Sequence, residues 1–361
     1  MPTRAARYNQ VHGLIRKICK LADGGDDLSE RLPRRYRHRE LDIVEPRSHR
    51  KHRILRGAWL APLLLCAAGA AGVPAAAADT AVLPASAPAD CPRCPEWTES
   101  QLPFRVYGNT YYVGTRALSS ILITSDAGHV LIDGAVAEAV PQLVANIRAL
   151  GFRVEDIRLI LNSHDHFDHA GGLAAIQRLS SAEVAASAPS ARVLMQGHSD
   201  PDDPQYGSLP RGPEPLAHVR VIRDGETVSV GPLRLTAHLT PGHTPGGTSW
   251  TWSSCEAGRC LHIVYADSLS AISAPGFRFS GSTDYPSAMQ DFAKSFAILE
   301  ALPCDILLTP HPEVAGTLVR LKQREGGAAP DAFVDPGACR RYALAARSDL
   351  QKRIAQERPS R

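Results

Sequence analysis

Apolar positions along this chain switch between two periods, and the switches mark out its elements. Beyond residue 90 the runs "FRVY", "TYYV", "SSILITS" and "HVLID" are rich in β-branched and aromatic residues. Separated by "GN" and "DAG" turn signals, they predict a meander of strands. Val140, Leu143, Val144, Ile147 and Leu150 then recur every three to four residues, which predicts an amphipathic helix closed by Gly151. "IRLILNSH" reads as a strand with a buried apolar run, "GGLAAIQRL" as a helix and "EVAAS" as another strand, so the middle alternates β and α. The second half repeats that order: strands "HVRVI", "TVSV", "LRLTAHL", "TSWTW" and "LHIVYA", a helix through Tyr285 to Leu302, the strand "DILLT", and a helix from Gly337. Two β-rich stretches, each followed by β/α units, predict one α/β domain over residues 91–361, with two sheets face to face and helices outside. No internal repeat is strong enough to indicate duplication.

Charge divides the chain before any average is useful. Met1–Ala78 holds 15 Lys+Arg and 7 Asp+Glu, leaving 25 basic and 30 acidic residues of the chain's 40 and 37. The net charge is therefore +8 in the leader and −5 beyond it, and no basic surface is left there for nucleic acid or anionic lipid. Within the leader, "RSHRKHRILR" is a positive n-region, "GAWLAPLLLCAAGAAGV" a charge-free apolar stretch, and "PAAAAD" a small-residue cleavage site after about Ala78. The pattern predicts an exported, periplasmic protein with no membrane attachment after signal cleavage. Pro62, Pro74 and the many Ala and Gly make a poor membrane span, and Leu65 before Cys66 argues against a lipoprotein. Residues 1–46 fit no export signal, so translation is expected to start nearer residue 50. Residues 79–90, "DTAVLPASAPAD", form an Ala/Pro/Ser linker.

Six cysteines lie beyond the leader: Cys91, Cys94, Cys255, Cys260, Cys304 and Cys339. An even number in an oxidising compartment predicts up to three disulfides. Proximity favours Cys91 with Cys94 and Cys255 with Cys260 across a hairpin end, leaving Cys304 with Cys339. The alternative for "CPRC" with "CEAGRC" is a structural zinc site.

Of the ten histidines beyond the leader, three fall in "NSHDHFDHAGG", between a predicted strand and a predicted helix. In extended backbone, residues two apart face the same side. His164 and His166 thus point together, while Asp165 is expected to face solvent or the back of a ligand. Asp168 and His169 come at the turn into the helix, where the reversing chain can present them to the same spot, and Asp168 is the candidate ligand and catalytic carboxylate. His243 in "TPGHTPGGTSW" and His311 in "LLTPHP" each sit at a strand end in a rigid Pro or Gly frame. Either alone is an ordinary loop residue, but beside the first motif both become candidate ligands. His129, His198, His218, His238 and His262 lack such a frame. Five imidazoles and one carboxylate are too many for one tetrahedral ion and suit two Zn²⁺ ions with open positions. That donor set points to hydrolysis by activated water without a protein nucleophile. Asp133 in "VLIDGA" is a candidate for orienting a ligand imidazole, the alternative being an N-cap for the following segment.

"SHDHFDHAGG", "TPGHTPGGTSWTW", "YADSLSA" and "LPCDILLTPHP", in this order and spacing, resemble the metallo-β-lactamase superfamily, and more narrowly the third subclass of class B β-lactamases. The resemblance implies a four-layered αβ/βα sandwich of two mixed sheets. It implies His164, His166 and His243 on a first zinc, and Asp168, His169 and His311 on a second. It further implies a metal-bridging hydroxide that opens the lactam amide of penicillins, cephalosporins and carbapenems. Ser268 takes the place of a cysteine ligand in other subclasses, Ser270 is implied to contact the substrate carboxylate, and both disulfides of Cys255–Cys260 and Cys304–Cys339 fit the family pattern. Arg116 and Phe277 depart from it, standing near a cysteine and a tyrosine of some members. Gln205 in "DPDDPQYGSLP" is a further candidate substrate contact, its alternative being a solvated loop residue. The expected partner is a small β-lactam, and the expected state a monomer that binds no nucleic acid. Two other readings stay open: a thioester or lactone hydrolase on the same scaffold, in which Asp267 would bridge the metals, and an exported zinc-binding protein without catalysis.

Overall fold

The computed structural model describes residues 91–327 and 329–357. The export signal and linker expected over residues 1–90 lie outside the described residues. After a short helix α1 (Cys94–Trp97), the chain lays down β1 (Phe104–Tyr107), β2 (Thr110–Tyr112), β3 (Ile121–Ile123) and β4 (His129–Ile132) as an antiparallel meander. Helix α2 (Val140–Ala149) then crosses over to β5 (Ile157–Leu161), parallel to β4. A single turn α3 (Phe167–Ala170) and helix α4 (Leu173–Ser180) lead to β6 (Glu183–Ala186), and helix α5 (Ala188–Gln196) precedes β7 (Arg220–Val221). These seven strands form one sheet in sequence order. The second sheet runs β8 (Thr227–Val230), β9 (Leu233–Leu239), β10 (Thr248–Glu256), β11 (Arg259–Tyr265) and β12 (Ile306–Leu308), antiparallel except for the parallel pair β11–β12. Helices α6 (Ala288–Ala301), α7 (Thr317–Glu325) and α8 (Ala338–Gln356) complete it.

Both sheets are mixed, and the layering follows from which faces are apolar. β4 is buried at all four positions because each face has a cover. Val130 and Ile132 meet Trp250, Tyr265 and Ile263 of the other sheet. Leu131 instead packs outward with Leu143 and Ile147 of α2 and Ile176 of α4. On the far side, Phe292, Phe296 and Leu299 of α6 join Ala343 and Leu350 of α8 over Val264 and Leu307. The result is helices, sheet, sheet, helices, as expected from the sequence.

One expectation is corrected, two helices were not foreseen, and one alternative falls away. "HVRVI" does not open the second sheet: its core, β7, pairs in parallel with β6 and closes the first. Helices α5 and α7 were not anticipated, since helices this short carry only a few apolar positions from which to read a period. The zinc alternative for the cysteines also falls away. The sulfurs are bonded as Cys91–Cys94, Cys255–Cys260 and Cys304–Cys339, the second joining register partners at the β10–β11 hairpin end. Among the described residues, no helix is long and apolar enough to cross a membrane.

Candidate metal centre

The first histidines are placed by the end of β5. Asp133, at the end of the neighbouring parallel strand, accepts hydrogen bonds from Ser163 N (2.8 Å), Ser163 Oγ (2.6 Å), Asn162 Nδ2 (3.2 Å) and Tyr265 OH (2.8 Å). Of the two readings of Asp133 only the N-cap needs correction, because the α2 N-cap position is Ala139; Asp133 reaches a ligand imidazole indirectly, through Ser163 Oγ, which lies 3.3 Å from His164 Nδ1. Parallel pairing sets its carboxylate beside residues 162 and 163, so it fixes the backbone from which His164 springs. Extended backbone at His166 then hands over to α3, which carries Asp168 and His169. A side chain at Gly172 would place Cβ 2.2 Å from Gly134 O, so only glycine lets α4 approach the end of β4 this closely.

His243 follows β9 and His311 follows β12, so three separated strand ends converge. Candidate ligand atoms of His164, His166 and His243 lie within 4.8 Å of one another, as do those of Asp168, His169 and His311. The triads meet where the His164 and His169 rings stand 4.4 Å apart. His129, His198, His218, His238 and His262 lie in neither group.

The back of each ring decides which nitrogen faces the centre. His164 Nδ1 lies 2.7 Å from Asp267 Oδ1, and His166 Nε2 lies 3.0 Å from Asp203 Oδ2. His243 Nδ1 donates to Ser270 O at 2.8 Å, and His311 Nδ1 to Ala117 O at 3.3 Å. These acceptors leave His164 Nε2, His166 Nδ1, His243 Nε2 and His311 Nε2 as lone pairs directed inward. His164 Nε2 is buried and has no hydrogen-bond partner, a loss of about 1–3 kcal/mol unless something binds it. A cation meets that need, and imidazoles with one carboxylate are a zinc donor set. The residues therefore fit the implied metal.

Electrostatics favour the ligand forms of most of these groups. Burial, then the charge of His169, hold His164 well below the ordinary histidine value. Burial and His166 push His243 down to about 3. Burial also opposes charge on His166, but the Asp203 carboxylate outweighs it and raises the ring to about 9. For Asp168 burial is likewise overcome, here by His169 and His311, and its carboxyl sits well below the usual range. Burial pushes Asp267 well above that range; a divalent cation on the far nitrogen of His164 would restore its ionised form.

Several sequence readings resolve here. Asp165 does not face solvent: it is buried and accepts Ser190 Oγ at 2.7 Å. Asp267, considered as a metal bridge, lies behind His164, and a Cβ on Gly247 would meet its Oδ2 at 2.5 Å. Gln205 reaches the site: its Nε2 donates to His166 Nδ1 at 3.4 Å, and its backbone N donates to Asp203 Oδ1 at 2.8 Å. Ser268, Ser270 and Gln205 border a cleft of about 280 Å³ over the two triads, with Trp97 and Ile272 at its rim. Phe277 packs edge-on against Phe279 at 5.0 Å instead, and Arg116 pairs with Glu99 at 3.3 Å. Asp203 carries no local signal: three aspartates crowd "DPDDPQ", and only the fold selects one.

Comparison with known proteins agrees with this geometry. The sequence model of the Metallo-beta-lactamase superfamily matches residues 113–258. Rm3 metallo-beta-lactamase is 56% identical, with a TM-score of 0.72 over 74% of this chain and 99% of that one. MEM-A1, a subclass B3 metallo-beta-lactamase from a soil metagenome library, is 50% identical (TM-score 0.70, 72% of this chain and 98% of that chain). SMB-1, solved with 2-mercaptoethanesulfonate, is 46% identical (TM-score 0.69, 73% and 99%). A "Probable metallo-hydrolase" of Burkholderia pseudomallei is 30% identical over 121 residues, 32% of this chain, and the match spans only 37% of that relative's length.

Proposed function

This chain belongs to the metallo-β-lactamase superfamily, and from that premise we propose that it is a zinc-dependent β-lactamase of subclass B3 type. One observation carries the reading: two adjacent triads of candidate ligand atoms, five of their six residues buried, meet at a single cleft. Six donors over two tetrahedral ions leave open positions, which speaks against a purely zinc-storing protein. The position of Asp267 behind His164 speaks against a metal-bridging aspartate of the thioesterase kind.

In this proposal His164, His166 and His243 would hold a first zinc, and Asp168, His169 and His311 a second. Zinc bound there supplies a nucleophile at neutral pH, by lowering the pKa of water to about 7, and a Lewis acid for the lactam carbonyl. The chain's own groups do the rest. Asp168, kept ionised by His169 and His311, accepts a hydrogen bond from the attacking water and orients it. Ser270 offers its carbonyl to His243, so its hydroxyl, 3.1 Å from the same ring, stands where it can turn towards a substrate carboxylate. Ser268 and Gln205 border the same space and would orient the rest of the lactam. The proposal includes a leader with an export signal over residues 1–78, a linker over 79–90, a periplasmic location and a monomeric state. Hydrolysis of a chromogenic cephalosporin set against hydrolysis of S-lactoylglutathione, each with and without a chelator, tests it. The expected result is chelator-sensitive turnover of the cephalosporin; turnover of the thioester alone would refute the assignment.

A further inference from the structure

A second groove, of about 690 Å³, runs along α8 and opens into the metal cleft. We propose that it receives an apolar substituent of the lactam and so decides which lactams are processed fastest; this rests on the β-lactamase reading. Continuity is the first argument. Ser268, Ser270, Ile272 and His311 line both the groove and the cleft, so a ligand seated over the triads has an open path into it. The passage is flanked by Ile272 and Val314, which are 57% and 53% exposed. Both add apolar surface to the groove's lining that a ligand entering it would cover.

Chemistry selects the occupant. Tyr342 in the groove wall has its hydroxyl spent on the far side, donating to Asp267 O at 2.9 Å and accepting Leu269 N at 2.8 Å. It therefore presents only its ring. Ala345, Ala346, Ala315 and Leu307 continue an apolar lining. The arginines lining it are already paired: Arg320 with Asp335 at 2.8 Å, Arg341 with the same carboxylate, Arg353 with Glu357 at 3.6 Å, and Arg93 with Glu96 at 3.2 Å. A free anion thus finds no unpaired charge there, whereas an aromatic or branched alkyl group gains by burial.

Ala345 is exposed on α8 and lines the groove, so enlarging it fills the groove without entering the core. The zinc-loaded full chain would be compared with Ala345→Leu and Ala345→Trp, and with Leu344→Trp, an exposed position on the same helix outside the groove, as control. The substrates are two matched series on one bicyclic nucleus, compact or aromatic in the acyl arm, and compact or aromatic on the fused ring. Ala345→Trp should lower kcat/KM about tenfold for the bulky members of one series, with a smaller drop for Ala345→Leu, and change compact members less than about twofold. Leu344→Trp should change neither. Equal losses for compact and bulky members, or no loss in either series, would overturn the groove assignment while leaving the β-lactamase reading intact. If the unaltered protein turned over no lactam at all, that reading would fail first and take the groove's occupant with it.

Discussion

The two triads touch through His164 and His169 but are held by different means. In the first, every ring has an acceptor behind it within 3.0 Å: Asp267, Asp203 and the Ser270 carbonyl. In the second, His169 Nδ1 is buried without a partner, the bond from His311 to Ala117 O is longer at 3.3 Å, and the His311 side chain is 23% exposed. What the second triad has instead is charge, from Asp168. The first site gains affinity from acceptors that orient each ring, and the second from Coulomb attraction to a carboxylate ligand. Equal ligand counts therefore do not imply equal sites.

The sharpest way to break this comparison is to remove a ligand from the first triad. His164→Ala should lower kcat/KM about a thousandfold and abolish binding of one zinc, because no neighbouring group can reach the vacated position; steady-state kinetics and metal analysis check it. Next comes Asp203→Asn. The amide can still accept the Gln205 N–H, but its own N–H₂ now faces His166 Nε2 and drives the proton to Nδ1, the nitrogen the metal requires. Zinc affinity of the first triad should fall about 10- to 100-fold, measured against a competing chelator, with the second triad much less affected. A uniform weakening of both sites would show that they are not separately held. Partial chelation is gentler: limited chelator should strip the second triad first, leaving protein with one zinc in a two-step titration. Loss of both ions in one step would contradict the difference in ring support. Gln205→Ala should have the smallest effect, a rise in KM of about threefold with kcat nearly unchanged, since it removes one partly exposed contact and no ligand.

How much of this was legible in the sequence depends on how local each signal was. His164, His166, Asp168 and His169 lie within six positions, and period-two geometry at the end of β5 already places the first two together. His243 and His311 were marked by proline and glycine that stiffen their strand ends. The meander β1–β4 and the helix α2 were equally plain, because their apolar periods run uninterrupted. What escaped was set by chain segments far apart. Asp203 and Asp267 act on rings 37 and 103 residues away, and no local pattern reports such a distance. For Asp165, strand alternation left solvent and the back of a ligand both open; the fold excludes solvent, since Ser190 of α5 meets its carboxylate. β7 was assigned to the wrong sheet for a related reason: two residues of pairing with β6 decide its membership, and pairing partners are invisible to periodicity.

Whether two ions at these triads generate the hydrolytic activity is tested most directly by stripping the purified protein of metal and restoring zinc in measured equivalents while following carbapenem hydrolysis. Turnover should vanish on stripping, return in part with the first equivalent and reach its plateau with the second. Hydrolysis that survives stripping, or a protein that takes up both equivalents and leaves penicillins, cephalosporins and carbapenems intact, would contradict it.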